Sequence, residues 1–134
     1  MPSELHKQME IRTSSDVVTV RQATRALAER TGLSLVDQTK LVTAASELAR
    51  NTLDYGGGGT VQVEALENGV RRGVRLIFED QGPGIANVQE ALKDGFTTGG
   101  GLGLGLGGAR RLVNEFDIES TPGQGTRVTI ARWK

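Results

Sequence analysis

Cysteine is absent from the 134-residue chain, which excludes disulfides and thiolate metal sites. Histidine occurs once, at His6, so histidine-rich metal ligation is excluded as well. Charge of one sign is also missing. Sixteen basic residues cancel sixteen acidic ones, and a chain with no net charge has no long-range field to collect a polyanion such as nucleic acid. No apolar run approaches the ~20 residues that cross a bilayer, and the first residues lack a signal-peptide core. The expectation is a cytoplasmic globular protein that uses neither membrane nor nucleic acid, with residues 1–134 as one domain.

Glycine is abundant. It occurs 19 times and is clustered, at 56–59 and in a dense run over 99–108. Clustered glycine marks backbone that bends freely or lets a ligand come close. The rest of the chain reads as ordinary secondary structure. Loose alternation over 5–12 suits an edge strand. Ser14, Ser15 and Asp16 offer caps for a helix to about residue 30, with Val17, Val20 and Leu27 inward and Gly32 as its stop. A longer helix over 35–55 carries the stripe Leu41, Ala45, Leu48 and Thr52, flanked by Val42 and Ala49.

Strict alternation over 60–65 and inward Val74, Leu76 and Phe78 predict two strands joined through Asn68-Gly69, the second ending at Asp80. A short helix is expected over 87–93. After the glycine run comes a helix burying Leu106, Ala109, Leu112, Val113 and Phe116, then a hairpin about Pro122-Gly123-Gln124-Gly125. The order β-α-α-β-β-(α)-α-β-β predicts a two-layer α/β sandwich (α+β), its sheet mixed but mostly antiparallel, with helices on one face.

Four groups of residues carry possible chemistry. Glu47 and Asn51 are four apart, so they share one face of the second helix beside its apolar stripe. A carboxylate there suits proton abstraction from a hydroxyl, and a carboxamide one turn on suits Mg²⁺; the alternative is a solvated helix face. Asp80 ends a strand before Gln81-Gly82-Pro83-Gly84, a place for accepting a hydrogen bond from an exocyclic amine; the alternative is a local turn acceptor.

The glycine run before a helix suits a phosphate cradle, the alternative being a flexible loop. Gly103, Gly105 and Gly108 match G-x-G-x-x-G, but the strand a dinucleotide fold needs before them is missing, and Ala109-Arg110 stand where a Walker A loop needs Lys and Ser or Thr. Thr126, after Gly125, opens the last strand and by itself is an ordinary strand former.

Taken together, Glu47…Asn51, Asp80-Gln81-Gly82-Pro83-Gly84, the glycine run and Gly125-Thr126 resemble, in order, the motifs of the GHKL superfamily of ATPases and kinases, with its Bergerat-type ATP-binding fold. The resemblance covers essentially the whole chain. Ser46-Glu47-Leu48-Ala49-Arg50-Asn51, Glu79-Asp80-Gln81-Gly82-Pro83-Gly84-Ile85, Gly95-Phe96-Thr97-Thr98-Gly99-Gly100-Gly101-Leu102-Gly103 and Arg111-Leu112-Val113-Asn114-Glu115-Phe116 are similar, more closely, to the RsbT-type serine/threonine switch kinases. Two positions depart from that pattern: Gly107 stands where proline is expected, and Leu104 where a smaller residue is.

The resemblance implies ATP and Mg²⁺ as cofactors, Glu47 as general base and Asn51 as metal ligand. It implies Asp80 as reader of the adenine amine with Thr126 assisting, Gly82 and Gly84 as the floor admitting the base, and Gly101, Gly103 and Gly105 around the phosphates. It further implies a serine or threonine on a STAS-domain protein as substrate and a PP2C-type phosphatase as later partner. A neighbouring member of the superfamily, an anti-sigma factor that holds a sigma factor and phosphorylates its antagonist, shares the same motifs. The oligomeric state stays open. A histidine kinase is disfavoured, because no helical dimerisation segment with a phosphoacceptor histidine is present and His6 falls on an expected edge strand.

Overall fold

The computed structural model describes residues 6–92 and 105–134. Nine elements follow one another: β1 (His6–Ile11), α1 (Ser14–Thr31), α2 (Leu35–Asp54), β2 (Gly59–Glu67), β3 (Arg72–Asp80), α3 (Val88–Ala91), α4 (Leu106–Arg111), β4 (Glu115–Thr121) and β5 (Gly125–Trp133). The strands form one sheet in the order β1-β2-β3-β5-β4, and all four ladders among them are antiparallel. No parallel pair occurs among the described residues, so the sheet is more uniform than the expected mixed one.

Local chemistry explains the helices. Thr13, one residue ahead of the expected caps, accepts from the Asp16 amide, and the Asp16 carboxylate accepts in return from the Thr13 amide at 3.0 Å. Gly32 closes α1 in the left-handed conformation that a Cβ would penalise. Ser34 caps α2 by accepting from the Asp37 amide at 3.1 Å.

Strand alternation places Val61, Val63, Val74, Leu76, Phe78, Val128 and Ile130 on one buried face of the sheet. Leu41, Ala44, Ala45, Leu48 and Ala49 of α2 and Val17, Val20 and Leu27 of α1 pack against that face. Each such large side chain contributes about 1.5–3 kcal/mol by leaving water. Gln62, Glu64, Arg75, Glu79 and Arg127, on the alternate positions, remain at least partly in solvent. The helical layer therefore covers a single face.

The last helix is shorter than its apolar pattern suggested. α4 stops at Arg111, and Leu112 closes it through an N–H to the Ala109 carbonyl at 3.1 Å. Asn114 then leaves the helix for the sheet: its amide donates to Ala131 at 2.9 Å, and its side-chain carbonyl accepts from the Trp133 amide at 2.6 Å. Phe116 is consequently on β4, opposite Ile130, rather than on a helix. Leu112, Val113 and Phe116 still pack on the core. A helical stripe and a strand cover the same apolar surface, and pairing with β5 decides between them.

Arg132 on β5 ties three elements together. It donates to Asp37 Oδ1 at 2.7 Å, at the start of α2, and to the Leu112 carbonyl at 3.2 Å, at the end of α4. The guanidinium holds the Asp37 carboxyl below the ordinary carboxylate range. Arg132→Met should cost about 2 kcal/mol in urea unfolding at pH 7. A depressed folded-state pKa stabilises above the unfolded value, so that difference should shrink as pH falls through the carboxylate range. Gly108 lies inside α4 with nothing within 4 Å of a prospective Cβ. Gly108→Ala should therefore raise stability by about 0.5–1 kcal/mol in the same measurement.

Candidate functional site

Strand periodicity sets the first polar group of the site. Asp80 shares the inward face of β3 with Val74, Leu76 and Phe78, but at the strand's end, where the hydrophobic layer runs out. The β3–β5 register puts Thr126 opposite it. Helical periodicity brings the second. Leu48 and Thr52 of α2 face the sheet, so Asn51 emerges half-buried at the margin of the same layer. One cleft results, lined by Asn51, Asp80 and Thr126 together with Leu48, Phe78, Ile85, Leu106 and Val128, and completed by Thr52 and Tyr55.

The backbone crowds around Asp80. A Cβ at Gly56 would overlap its carboxyl group, and one at Gly125 its carbonyl oxygen. A Cβ at Gly82 would come within 2.7 Å of Gly56 Cα. The Gly82 amide donates to Asp80 Oδ1 at 2.9 Å. Burial nonetheless pushes the Asp80 carboxyl up, against the bonds it accepts from the Gly82 and Thr126 amides. A half-buried carboxylate with apolar walls is an acceptor with capacity left over, and it suits an N–H donor on an otherwise apolar ring. The residues present thus fit an adenine base.

Gly84 has φ +74°, and a Cβ there would strike the Thr121 carbonyl, so only glycine turns the chain beneath the β4–β5 hairpin. Its carbonyl accepts from the Tyr55 hydroxyl at 3.1 Å, and the Pro83 carbonyl accepts from the Gly123 amide at 2.7 Å. Gly84 therefore braces the turn, whereas Gly82 stands beside the acceptor.

Glu47 is exposed and does not line the cleft. It stands at the start of α4, where a Cβ on Gly105 would overlap Glu47 Oε2. Gly105 itself caps α4 with φ +64°. Gly101 and Gly103 lie outside the described residues.

Three contributors were missed in the sequence. Ser120 accepts from the Ile85 amide at 2.7 Å and lies 2.8 Å from Thr126 Oγ1, so it sets the orientation of that threonine. Tyr55 and Gly56 close the cleft from the end of α2. Tyr55 carried a usable signal, being four residues beyond Asn51. Ser120 carried none, since its role appears only when the hairpin pairs it with Thr126. Among the described residues, no three acidic, histidine or cysteine side chains gather as a metal cage, and no helix is long and apolar enough to cross a membrane.

Comparison with known proteins gives the same frame. The chain is 43% identical over 123 residues to the serine/threonine-protein kinase RsbT of Bacillus subtilis (strain 168), covering 92% of each. It is 27% identical to the anti-sigma F factor of Thermoanaerobacter sp. (strain X514), covering 84% of this chain and 82% of that one. A Mycobacterium tuberculosis structure containing RsbU and RsbW domains superposes with a TM-score of 0.61 at 22% identity, over 96% of this chain and 33% of that longer one; this is a likeness of fold. Residues 36–134 match the family described as histidine kinase-, DNA gyrase B-, and HSP90-like ATPase. The chain belongs to that ATPase family.

Proposed function

We propose that this protein is a cytoplasmic ATP-dependent serine/threonine kinase of the RsbT type, acting on a STAS-domain protein in a bacterial partner switch, with residues 1–134 as one nucleotide domain. The observation that carries this is the common cleft of Asn51, Asp80 and Thr126, together with the 43% identity to a serine/threonine kinase over nearly the whole chain. In this reading Asp80 accepts from the adenine amine, and Thr126, oriented by Ser120, assists beside the ring. Gly82 lets the base approach, and Gly84 shapes the turn below it.

Asn51 holds Mg²⁺, which when bound neutralises phosphate charge, and the amides at Gly101, Gly103 and Gly105 surround the phosphates. Glu47, outside the cleft but on the same helix, takes the proton from the attacking serine or threonine hydroxyl. Phosphoryl transfer asks mainly for positioning and charge neutralisation, so a short set of groups suffices. The exposure of Glu47 agrees with a base that must reach a protein substrate arriving from solvent. Once released from its substrate complex, the kinase engages a PP2C-type phosphatase.

The anti-sigma F relatives support a second reading, in which the same ATP site belongs to a protein that holds a sigma factor. Co-purification separates the two: a sigma factor retained by the tagged protein favours the second. Incubation with radiolabelled ATP and STAS-domain proteins encoded beside this chain tests the first, and label on none of them would sink it.

Glu47→Gln should keep ATP binding by calorimetry and slow transfer by roughly 10²–10⁴-fold. Asp80→Asn should weaken ATP binding by at least about tenfold, the scale of one lost charge-assisted hydrogen bond. The same variant should also melt higher than wild type without nucleotide near pH 7. A raised folded-state pKa gives stability that is present below the unfolded value and lost as pH rises through the folded one, and the amide escapes that loss. The advantage should disappear in acid, where both proteins are neutral at this position.

A further inference from the structure

Glu47 and Gly105 meet at the N-terminus of α4. A Cβ built on Gly105 would overlap Glu47 Oε2 and stand 3.2 Å from Cδ and 3.5 Å from Cγ. The carboxylate end of Glu47 therefore occupies the space that a side chain at Gly105 would need. Gly105 also holds φ +64° and makes no side-chain cap to α4. Its neighbour differs: Gly108 has open space around it, so its lack of a side chain serves no comparable contact.

The Glu47 side chain has three rotatable bonds and is exposed, and no hydrogen bond or ion pair to another described residue holds its carboxylate. A group that must meet a hydroxyl within hydrogen-bond reach loses much of its effect when displaced by an ångström. Among the described residues, steric seating against the bare backbone of Gly105 is the restraint on it. α2 supplies the side chain, and α4 supplies the seat.

We propose that Gly105 is a positioning residue for Glu47. The absence of a Cβ leaves the space in which the carboxylate lies, so the direction of the base is set together with the position of the first residue of α4's N-terminal turn. The inference rests on the reading of Glu47 as general base.

Four variants test it: Gly105→Ala, Glu47→Asp, the two combined, and Glu47→Gln. Transfer from radiolabelled ATP to the labelled STAS-domain protein gives kcat, and calorimetry with Mg·ATP gives Kd. Gly105→Ala adds a methyl at the carboxylate and strains a left-handed backbone, so it should lower kcat about 10–100-fold beyond any loss of Mg·ATP affinity. Glu47→Asp draws the carboxylate back by one methylene, out of the way of the added methyl. The double variant should therefore transfer at least as fast as Gly105→Ala alone, although Glu47→Asp slows the wild-type protein.

Independent losses that multiply in the double variant would mean that Gly105 serves only its own backbone, and the proposal fails. A loss of transfer that weaker ATP binding accounts for entirely, and that Glu47→Asp does not relieve, would leave Gly105 with its phosphate role alone, and the proposal fails in that case too. If Gly105→Ala does not fold, recovery of a folded, active double variant supports the contact, and a double variant that stays unfolded refutes it. Wild-type transfer by Glu47→Gln overturns the base itself, an outcome distinct from all of these.

Discussion

The end of β3 is packed so tightly that glycine is required on three sides of Asp80. Gly56, at the exit of α2, lies against the carboxyl group; Gly125, at the start of β5, lies against the carbonyl; and Gly82 rests on Gly56. Gly59 adds a fourth: a Cβ there would overlap the Glu79 carbonyl oxygen and come within 2.8 Å of Thr52 Cγ2. These contacts bring the last turn of α2, a turn after β3 and the β4–β5 hairpin to one point. Cleft and acceptor exist because no side chains separate those backbones. Other glycines do different work: Gly57, Gly69 and Gly123 have positive φ and nothing nearby, so they serve turns alone.

That packing explains the electrostatics of the site. The hydrophobic layer under α1 and α2 ends at Phe78, and the next inward position holds a carboxylate instead of an apolar group. Burial raises the free energy of its charge, and the two backbone amides that bond to it offset only part of the cost. Natural proteins tolerate such a deficit where binding recovers it. The polar residues of the cleft, Asn51, Asp80 and Thr126, all stand at this margin, beside the apolar side chains that line the same cleft.

α2 is the element on which the arrangement turns. Leu41, Ala45, Leu48 and Thr52 bury its inner stripe and so fix its rotation, which in turn decides that Asn51 looks into the cleft and Glu47 past it. Its N-terminus is anchored by the Asp37–Arg132 pair, and the same arginine binds the carbonyl that ends α4. The helix carrying Glu47 and the helix against which Glu47 rests are thus referenced to one residue of β5. Arg132 Nε is buried without a partner among the described residues, a cost borne for that junction.

The sequence alone determined whatever depends on neighbours within a few residues. The helical stripe of α2, the alternation of β2 and β3, the stop at Gly32 and the strand end at Asp80 are local patterns, and each is found where periodicity and turn chemistry place it. The motif residues Glu47, Asn51, Asp80 and Thr126 were visible because their order along the chain matches a known pattern. Tertiary structure decided the rest. The insertion of β5 between β3 and β4 puts Thr126 against Asp80, 46 positions apart by their numbers, and no local signal encodes such a pairing. Phe116 belongs to the sheet, and Asn114 is tied to its edge, because β5 offers them hydrogen bonds, although their place in the apolar pattern suits a helix equally well. Ser120 acquires its role from the hairpin, and Gly105 meets Glu47 only once α4 has docked on α2. Local energies choose the elements; contacts between distant segments choose which side chains face one another.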